Sequence, residues 1–575
     1  MTDGGTVAGL VVERLTAWHV PRVFGRGGAA VTPLVEALRA TGGEPAFVPV
    51  HQAEAAGFMA VGHARCTGGV GVCLAAQGPD AVHLLNGLYD AKLDGRAVVA
   101  LIGADGDGAA CGARQEMEPT RLFGDACGQF VRVAQHPDEV DALLDRAFRT
   151  AVATSSPVCL VLPRAVLTQP APPAQPAAGV LNPPQGRPPA RVLPHESDLN
   201  AAAGLLAAGS RTAVLVGQGA HGAEAELLAI VDRLDAGVAA SLLGKPVLDE
   251  RLPFHTGVLG AVGSTAAVEL MAGCDTLLLV GTGDPWSDYY PVPGQARVVQ
   301  IDIDGRRVGD RYPVDVPLVG DARETLRALL SRLGAVPARD WRAEVEASVD
   351  RWRAEIAARA DAPADPVNPQ LVVRELGPRL PRVATLTVDA GSVTYWYARH
   401  LLLPSGVTAH LSGGLGAVGC AVPYAIAAKL AAPHRPVLAL AGDAAMQLSG
   451  LAELITVAQR WPQWPDPRLV VLVLNYRDRA GTGVVDPLSA PADRMPDVPY
   501  AGWARLLGLH GIRVDRPELV GSAWDEALAA DRPTLIEAVV DARVPHDVPE
   551  PPLADLRDVM ADGRASRLIQ ERMLG

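Results

Sequence analysis

Among the 575 residues, the stretch richest in chemistry begins at Val437. An apolar run, VLALAG, delivers Gly442-Asp443-Ala444-Ala445, a helical stretch carries Glu453, and a second apolar run, LVVLVLN, ends at Asn475. A strand–helix–strand unit of this length brings its two strand ends to one edge of a parallel sheet. Asp and Asn oxygens at such an edge suit a hard cation such as Mg²⁺, which binds few carboxylates and completes its shell with phosphate oxygens and water. Gly442 lets a phosphate approach the backbone closely. The spacing fits equally well a plain strand–helix–strand unit with Asp443 as a helix cap. Both readings stay open on spacing alone.

A second group of residues suggests a nucleotide. Gly217 and Gly219 follow the run AVLV, Gly281-Thr282 follows TLLLV, Asp302 and Asp304 close VVQIDID, and Gly320-Asp321 comes next. Aspartate at a strand end can accept hydrogen bonds from ribose hydroxyls. A lone Gly-x-Gly is weak evidence, because many such turns use glycine for geometry alone.

The elements that must position these residues are legible as a pattern. Short β-branched runs ending in Gly, Asp or Asn alternate with Ala/Leu-rich helical stretches, which is how buried parallel sheets read. The fold class is therefore α/β, with three parallel-sheet domains, since a chain of this length cannot fill one core. A Pro-rich stretch over 169–194 separates an N-terminal domain, 1–168, from a central domain, 195–335. A linker over 336–368, with a second Pro-rich break, leads to a third domain, 369–545, and a tail, 546–575. The first and third segments are candidates for one shared architecture. Ligands of such sheets sit beyond the C-terminal strand ends, where helix N-termini present N–H groups to phosphates.

Composition narrows the function. The chain is 49% apolar and 20% charged, which excludes disorder. Its net charge of −13, without a Lys/Arg-rich tract, argues against nucleic-acid or anionic-membrane partners. No apolar run is long enough to span a bilayer, and MTDGGTVAGL has neither the basic nor the apolar part of a signal peptide. Seven dispersed cysteines with no CxxC pair offer neither a disulfide framework nor a zinc site. A cytoplasmic enzyme is the expectation.

The arrangement of Gly442-Asp443 and Asn475 resembles the thiamine-diphosphate signature of acetolactate synthases, pyruvate oxidases and related decarboxylases. Other segments agree: Val388-Asp389-Ala390-Gly391-Ser392, the loop from Ser412 to Gly419, Phe58-Met59-Ala60, Gly78-Pro79 and Leu85-Asn86-Gly87-Leu88. The resemblance covers essentially the whole chain and implies a pyrimidine-binding, a central and a diphosphate-binding domain. It implies thiamine diphosphate with Mg²⁺, a small carbonyl substrate such as a 2-oxo acid, and a homodimer or homotetramer with sites at the subunit interface. Gly391, Ser392, Gly442, Ala444 and Ala445 would hold the diphosphate, Gly413 and Leu415 the aminopyrimidine, and Val418 the bent cofactor. Asp443, Asn475 and Asp478 would hold the metal, and Gln115 would lie near the substrate. Relatives of the oxidase kind make FAD a candidate ligand of Gly217, Gly219, Gly281, Thr282, Asp302, Asp304 and Asp321.

The resemblance fails at chemically important positions. The acid that activates the pyrimidine falls on Ala53, whose methyl makes no charge-assisted bond. Glu54 is adjacent, but neighbouring helical side chains diverge by about 100°, so it substitutes only through a shift of register. Tyr476 stands where the second Asn of the metal motif would be, and a phenol is a poor ligand for Mg²⁺. Ala444, Val418 and Asp80 are milder departures. The alternative expectation is a repurposed relative with a vestigial thiamine site, working through FAD or serving as a non-catalytic subunit.

Overall fold

The computed structural model describes residues 5–105, 117–173, 191–283, 287–334, 340–477 and 497–551. Three six-stranded sheets, every paired strand parallel, build three α/β domains. The first contains β1 (Arg22–Gly25), β2 (Ala46–Pro49), β3 (Gly71–Ala76), β4 (Val98–Ala104), β5 (Val131–Val133) and β6 (Pro157–Pro163). The second contains β7 (Thr212–Val216), β8 (Gly237–Ala240), β9 (His255–Val258), β10 (Thr276–Val280), β11 (Arg297–Asp302) and β12 (Val316–Val319). The third contains β13 (Ala384–Val388), β14 (Val407–Leu411), β15 (Val437–Gly442), β16 (Leu469–Asn475), β17 (His510–Val514) and β18 (Thr534–Val539).

Strand order carries the functional geometry. The first sheet runs β2-β1-β3-β4-β6-β5 and the third β14-β13-β15-β16-β18-β17, one topology used twice. Order reverses between β13 and β15, so the loops after these strands open a crevice at the C-terminal sheet edge. The central sheet, β12-β11-β10-β7-β8-β9, has the doubly wound dinucleotide-binding order, and its crevice lies between β7 and β10.

The first and third domains share one continuous apolar core, in which Phe58 and Met59 pack with Tyr424 and Ala425. The Ala-rich Ala53–Thr67 helix is almost wholly buried at this junction. Small residues let it approach its neighbours. A Cβ on Gly87 would come within 2.6 Å of the Gly57 carbonyl carbon, and one on Gly62 within 3.0 Å of Tyr424 Cα.

The stretch 336–368 is more than a linker. It contains a 21-residue helix, Trp341–Asp361. Trp341, Val345 and Val349 enter the central core, and Trp341 Nε1 donates to the Thr212 carbonyl at 3.0 Å. Its charged remainder, WRAEVEASVDRWRAEIAARAD, masks a narrow apolar stripe. No described helix is long and apolar enough to cross a membrane.

Candidate functional site

The β13/β15 crevice is built by backbone geometry first. Gly391 precedes the Ser392–His400 helix at φ 104°, ψ −155°, a region essentially closed to other residues. This turn aims the helix N-terminus into the crevice, where its free N–H groups favour an anion. Ser392 is the helix's first residue and is 2% exposed. Its buried Oγ makes no well-formed hydrogen bond and lies beside the Tyr476 hydroxyl. Across the crevice, a Cβ on Gly442 would meet nothing within 4 Å, so the backbone there is open to a ligand.

The loop over 412–421 is tied down from two sides. Asp389, buried beneath it, accepts hydrogen bonds from Ala390 N at 2.9 Å, Gly419 N at 2.7 Å and Ala421 N at 3.0 Å. Burial pushes this carboxyl up to about 7, against the pull of those N–H donors. From the first domain, Asp94 accepts from Gly413 N at 2.9 Å and Gly414 N at 2.7 Å. Asp94 is also hydrogen-bonded to Arg65, which lies 3.6 Å from Asp90. Leu415 and Val418 ride on the loop so fixed, and Val418 packs against the shared core.

The expected metal residues are brought together, but their oxygens are engaged. Gly442 and Leu474 are register partners, so Asp443 and Asn475 follow side by side. Asp443 accepts from Ala444 N at 2.9 Å through one oxygen and from Tyr476 N at 3.0 Å through the other. Asn475 turns toward β18: its amide donates to Glu537 at 3.1 Å and Asp497 at 3.3 Å, while its oxygen accepts from Arg477 N at 3.1 Å. The Tyr476 ring packs on the third-domain core, and its hydroxyl accepts from Trp396 Nε1 at 2.7 Å. Burial raises the phenol's pKa, so it stays protonated. Among the described residues, no three His, Cys, Asp or Glu side chains gather where they would hold a metal. Asp478 and Gln115 lie outside the described residues.

On the first-domain side, Ala53 opens its helix, buried to 1% exposure. Glu453 reaches over from the third domain, and its Oε1 accepts from His51 N at 2.9 Å and Gln52 N at 3.4 Å. Thr456 donates to the other oxygen at 2.8 Å, and burial raises the carboxyl's pKa. Glu453 thus ties down the two residues that lead into the helix that Ala53 begins. Glu54 is spoken for differently: it accepts from the Asn86 amide on the Pro79–Leu93 helix. Asp80 pairs with Arg26 at 3.2 Å.

At the β7/β10 crevice, Gly217 and Gly281 touch so closely that a Cβ on Gly217 would lie 2.2 Å from the Gly281 oxygen. A cleft of about 930 Å³ opens beside them, bordered by Gly219, Gly281, Asp302, Asp304, Arg307 and Asp321, with Arg96 from the first domain. Asp302 accepts from Asp304 N, Asp304 pairs with Arg306, and Asp321 caps the Ala322–Leu330 helix. A narrower recess, bordered by Gln218, Thr282 and Arg307, continues to Gly413 and Gly414. The nucleotide-type cleft therefore leads to the same loop as the β13/β15 crevice.

Three family models match the chain in order: the N-terminal thiamine pyrophosphate (TPP) binding domain over 5–118, the thiamine pyrophosphate enzyme central domain over 199–329, and the C-terminal TPP binding domain over 389–538. The chain belongs to the thiamine pyrophosphate enzyme family. Among relatives of this thiamine pyrophosphate enzyme, YdaP of Bacillus subtilis is 30% identical over 548 residues, covering 94% of this chain and 92% of that one. The protein named "Probable 2-ketoarginine decarboxylase AruI", from Pseudomonas aeruginosa, is 33% identical over 531 residues, 89% of each chain. Pyruvate oxidase of Lactiplantibacillus plantarum is 29% identical over 549 residues, 92% of this chain and 88% of that one.

The β13/β15 crevice suits the two parts of a magnesium diphosphate group unequally. The Gly391 turn, the orphaned Ser392 hydroxyl and the open face at Gly442 suit a diphosphate. The donor set suits Mg²⁺ poorly: each Asp443 oxygen and the Asn475 oxygen already share a backbone N–H, the Asn475 amide is turned to Glu537 and Asp497, and the next side chain is the protonated Tyr476 phenol. Asp94 escaped the sequence reading, and Asp389 and Glu453 were named there without a role. Each acts by bonding backbone N–H groups, which leaves no residue spacing to detect; a buried carboxylate after β13 was the only available signal.

Proposed function

We propose that the chain is a thiamine-diphosphate-dependent enzyme, a decarboxylase, carboligase or oxidase of a small 2-oxo acid or related carbonyl compound. The observation that carries this reading is the anion cradle at the β13/β15 crevice, where the Gly391 turn and buried Ser392 face open backbone at Gly442. The named activities of the pyruvate oxidase and 2-ketoarginine decarboxylase relatives support the substrate class. When bound, thiamine diphosphate supplies the carbon nucleophile and the electron sink for a 2-oxo acid. The residues' part would be to bind and orient it: the Ser392 helix N-terminus would hold the diphosphate, while Asp94 and Asp389 fix the loop bearing Val418, which would support the bent cofactor. Ala53 provides no acid to the pyrimidine, so proton transfer there falls to water or substrate. Sites formed between two copies of the chain, in a homodimer or homotetramer, complete the proposal.

Mass spectrometry of the purified protein for bound thiamine diphosphate, with CO₂ release measured over a panel of 2-oxo acids, tests it. Thiamine diphosphate that neither co-purifies nor binds on addition overturns it.

A second reading is favoured by the central cleft. Its volume, its doubly wound strand order and its continuation to Gly413 suit an extended dinucleotide such as FAD. If flavin absorbance co-purifies and thiamine diphosphate does not bind, chemistry belongs to that cleft, or the chain is a non-catalytic subunit.

A further inference from the structure

We infer that the β13/β15 site binds its phosphate-bearing ligand without a divalent cation, with the Tyr476 hydroxyl acting as a donor in the metal's place. This rests on the thiamine diphosphate reading above. Three observations combine. The oxygens that would ligate a cation are each partly engaged, Asp443 by the N–H groups of Ala444 and Tyr476 and Asn475 by that of Arg477, and the Asn475 amide is turned away to Glu537. The Tyr476 hydroxyl accepts the indole N–H of Trp396 at 2.7 Å and lies against the Ser392 hydroxyl, so the pair keeps one proton to donate onward. His546 stacks on Trp396 at 4.4 Å between ring centroids and holds the indole in place.

The Tyr476 hydroxyl lies beside Ser392, whose buried Oγ is orphaned at the first position of the nine-residue Ser392–His400 helix. The hydroxyl pair, with one proton left to present, and the N–H groups at the start of that helix therefore converge on one place. A phosphate oxygen accepts from all of them, whereas a cation would meet protons instead of lone pairs. The Trp396–Tyr476 pair extends a neutral donor chain to the ligand, and the usual bridge of metal between carboxylate and phosphate is not needed.

Isothermal titration with thiamine diphosphate, in excess EDTA and in excess Mg²⁺, tests the inference on the full chain. Wild type is expected to bind with the same affinity in both. Tyr476→Phe, which keeps the ring and fold, should bind about tenfold more weakly in both, the loss of one hydrogen bond to a charged group. Tyr476→Asn should regain a preference for Mg²⁺. Wild-type binding that requires Mg²⁺ overturns the metal-free site while leaving the thiamine reading intact. Unchanged affinity in a correctly folded Tyr476→Phe overturns the role of the hydroxyl. Absence of binding in both buffers removes the thiamine reading itself.

Discussion

Asp94 is the point where the first domain grips the third-domain loop, and Asp94→Asn tests that grip. The side chains of Asp94 and Arg65 are each 2% exposed. An amide keeps one accepting oxygen and presents its NH₂ to the other partners. Two of Asp94's three acceptor contacts, to Arg65, Gly413 N and Gly414 N, are then weakened or lost. Breaking a buried ion pair costs about 3–5 kcal/mol, and a stranded buried N–H about 1–3 kcal/mol. Asp90, 3.6 Å from Arg65, still offers the guanidinium a partner, which sets the total near the lower bound. A cost of about 3 kcal/mol corresponds to a shift of roughly 100-fold or more in the docked loop population.

Amide hydrogen exchange over residues 405–421 reads this population directly. Protection of Gly413 and Gly414 should fall by about 100-fold, since exchange follows the opening equilibrium, while the central sheet keeps its protection. Asp94→Asn with unchanged exchange in this loop would refute the view that Asp94 holds it. A uniform loss of protection across the first domain would show that Asp94 matters for folding instead.

Three further outcomes follow from the geometry. Ala53→Glu should speed exchange of the C2 proton of bound thiamine diphosphate by about 10²–10⁴-fold, measured by NMR; an unchanged rate with ligand bound means that residue 53 does not face the pyrimidine. Gly391→Ala places a side chain at φ 104° and should cost about 1–3 kcal/mol, seen by titration calorimetry as weaker thiamine diphosphate binding with little change in the central domain. Burial, helped by Arg22, lowers His63 to about 4 from 6.5, so the neutral ring is the folded form. Its contribution is present above pH 6.5 and is lost as pH falls toward 4; His63→Leu should flatten that part of the stability profile, followed by urea denaturation.

The sequence made the sheets legible because buried parallel strands leave unmistakable runs such as VVALIG, TLLLVG and LVVLVLN. It also placed Asp443 beside Asn475, since one strand–helix–strand unit leaves little freedom. What it could not show was where the side chains turn. Asn475 has the right residue type at the right edge, yet β18 supplies Glu537 as a competing acceptor for its amide. The Trp341–Asp361 helix was hidden by its charge, because a narrow apolar stripe does not stand out in a stretch rich in Arg and Glu. Glu54 was read for its charge, and its partner Asn86 lies on another helix that only the packed structure brings near.

The altered positions and the retained framework obey one electrostatic logic. Asp94, Asp389 and Glu453 are buried carboxylates, and each is held by backbone N–H groups that leave no room for a change of residue type. A buried charge is tolerable only when its lone pairs are answered. Ala53 and Tyr476 sit among these groups but demand no charged partner: one is a methyl, the other a phenol whose pKa burial raises further. A carboxylate at position 53 would directly follow His51 and Gln52, whose N–H groups Glu453 holds with a carboxyl whose pKa burial already raises. Two acids sharing that helix end would push each other's pKa upward, and one would have to stay protonated. The methyl at Ala53 avoids this conflict at the buried junction.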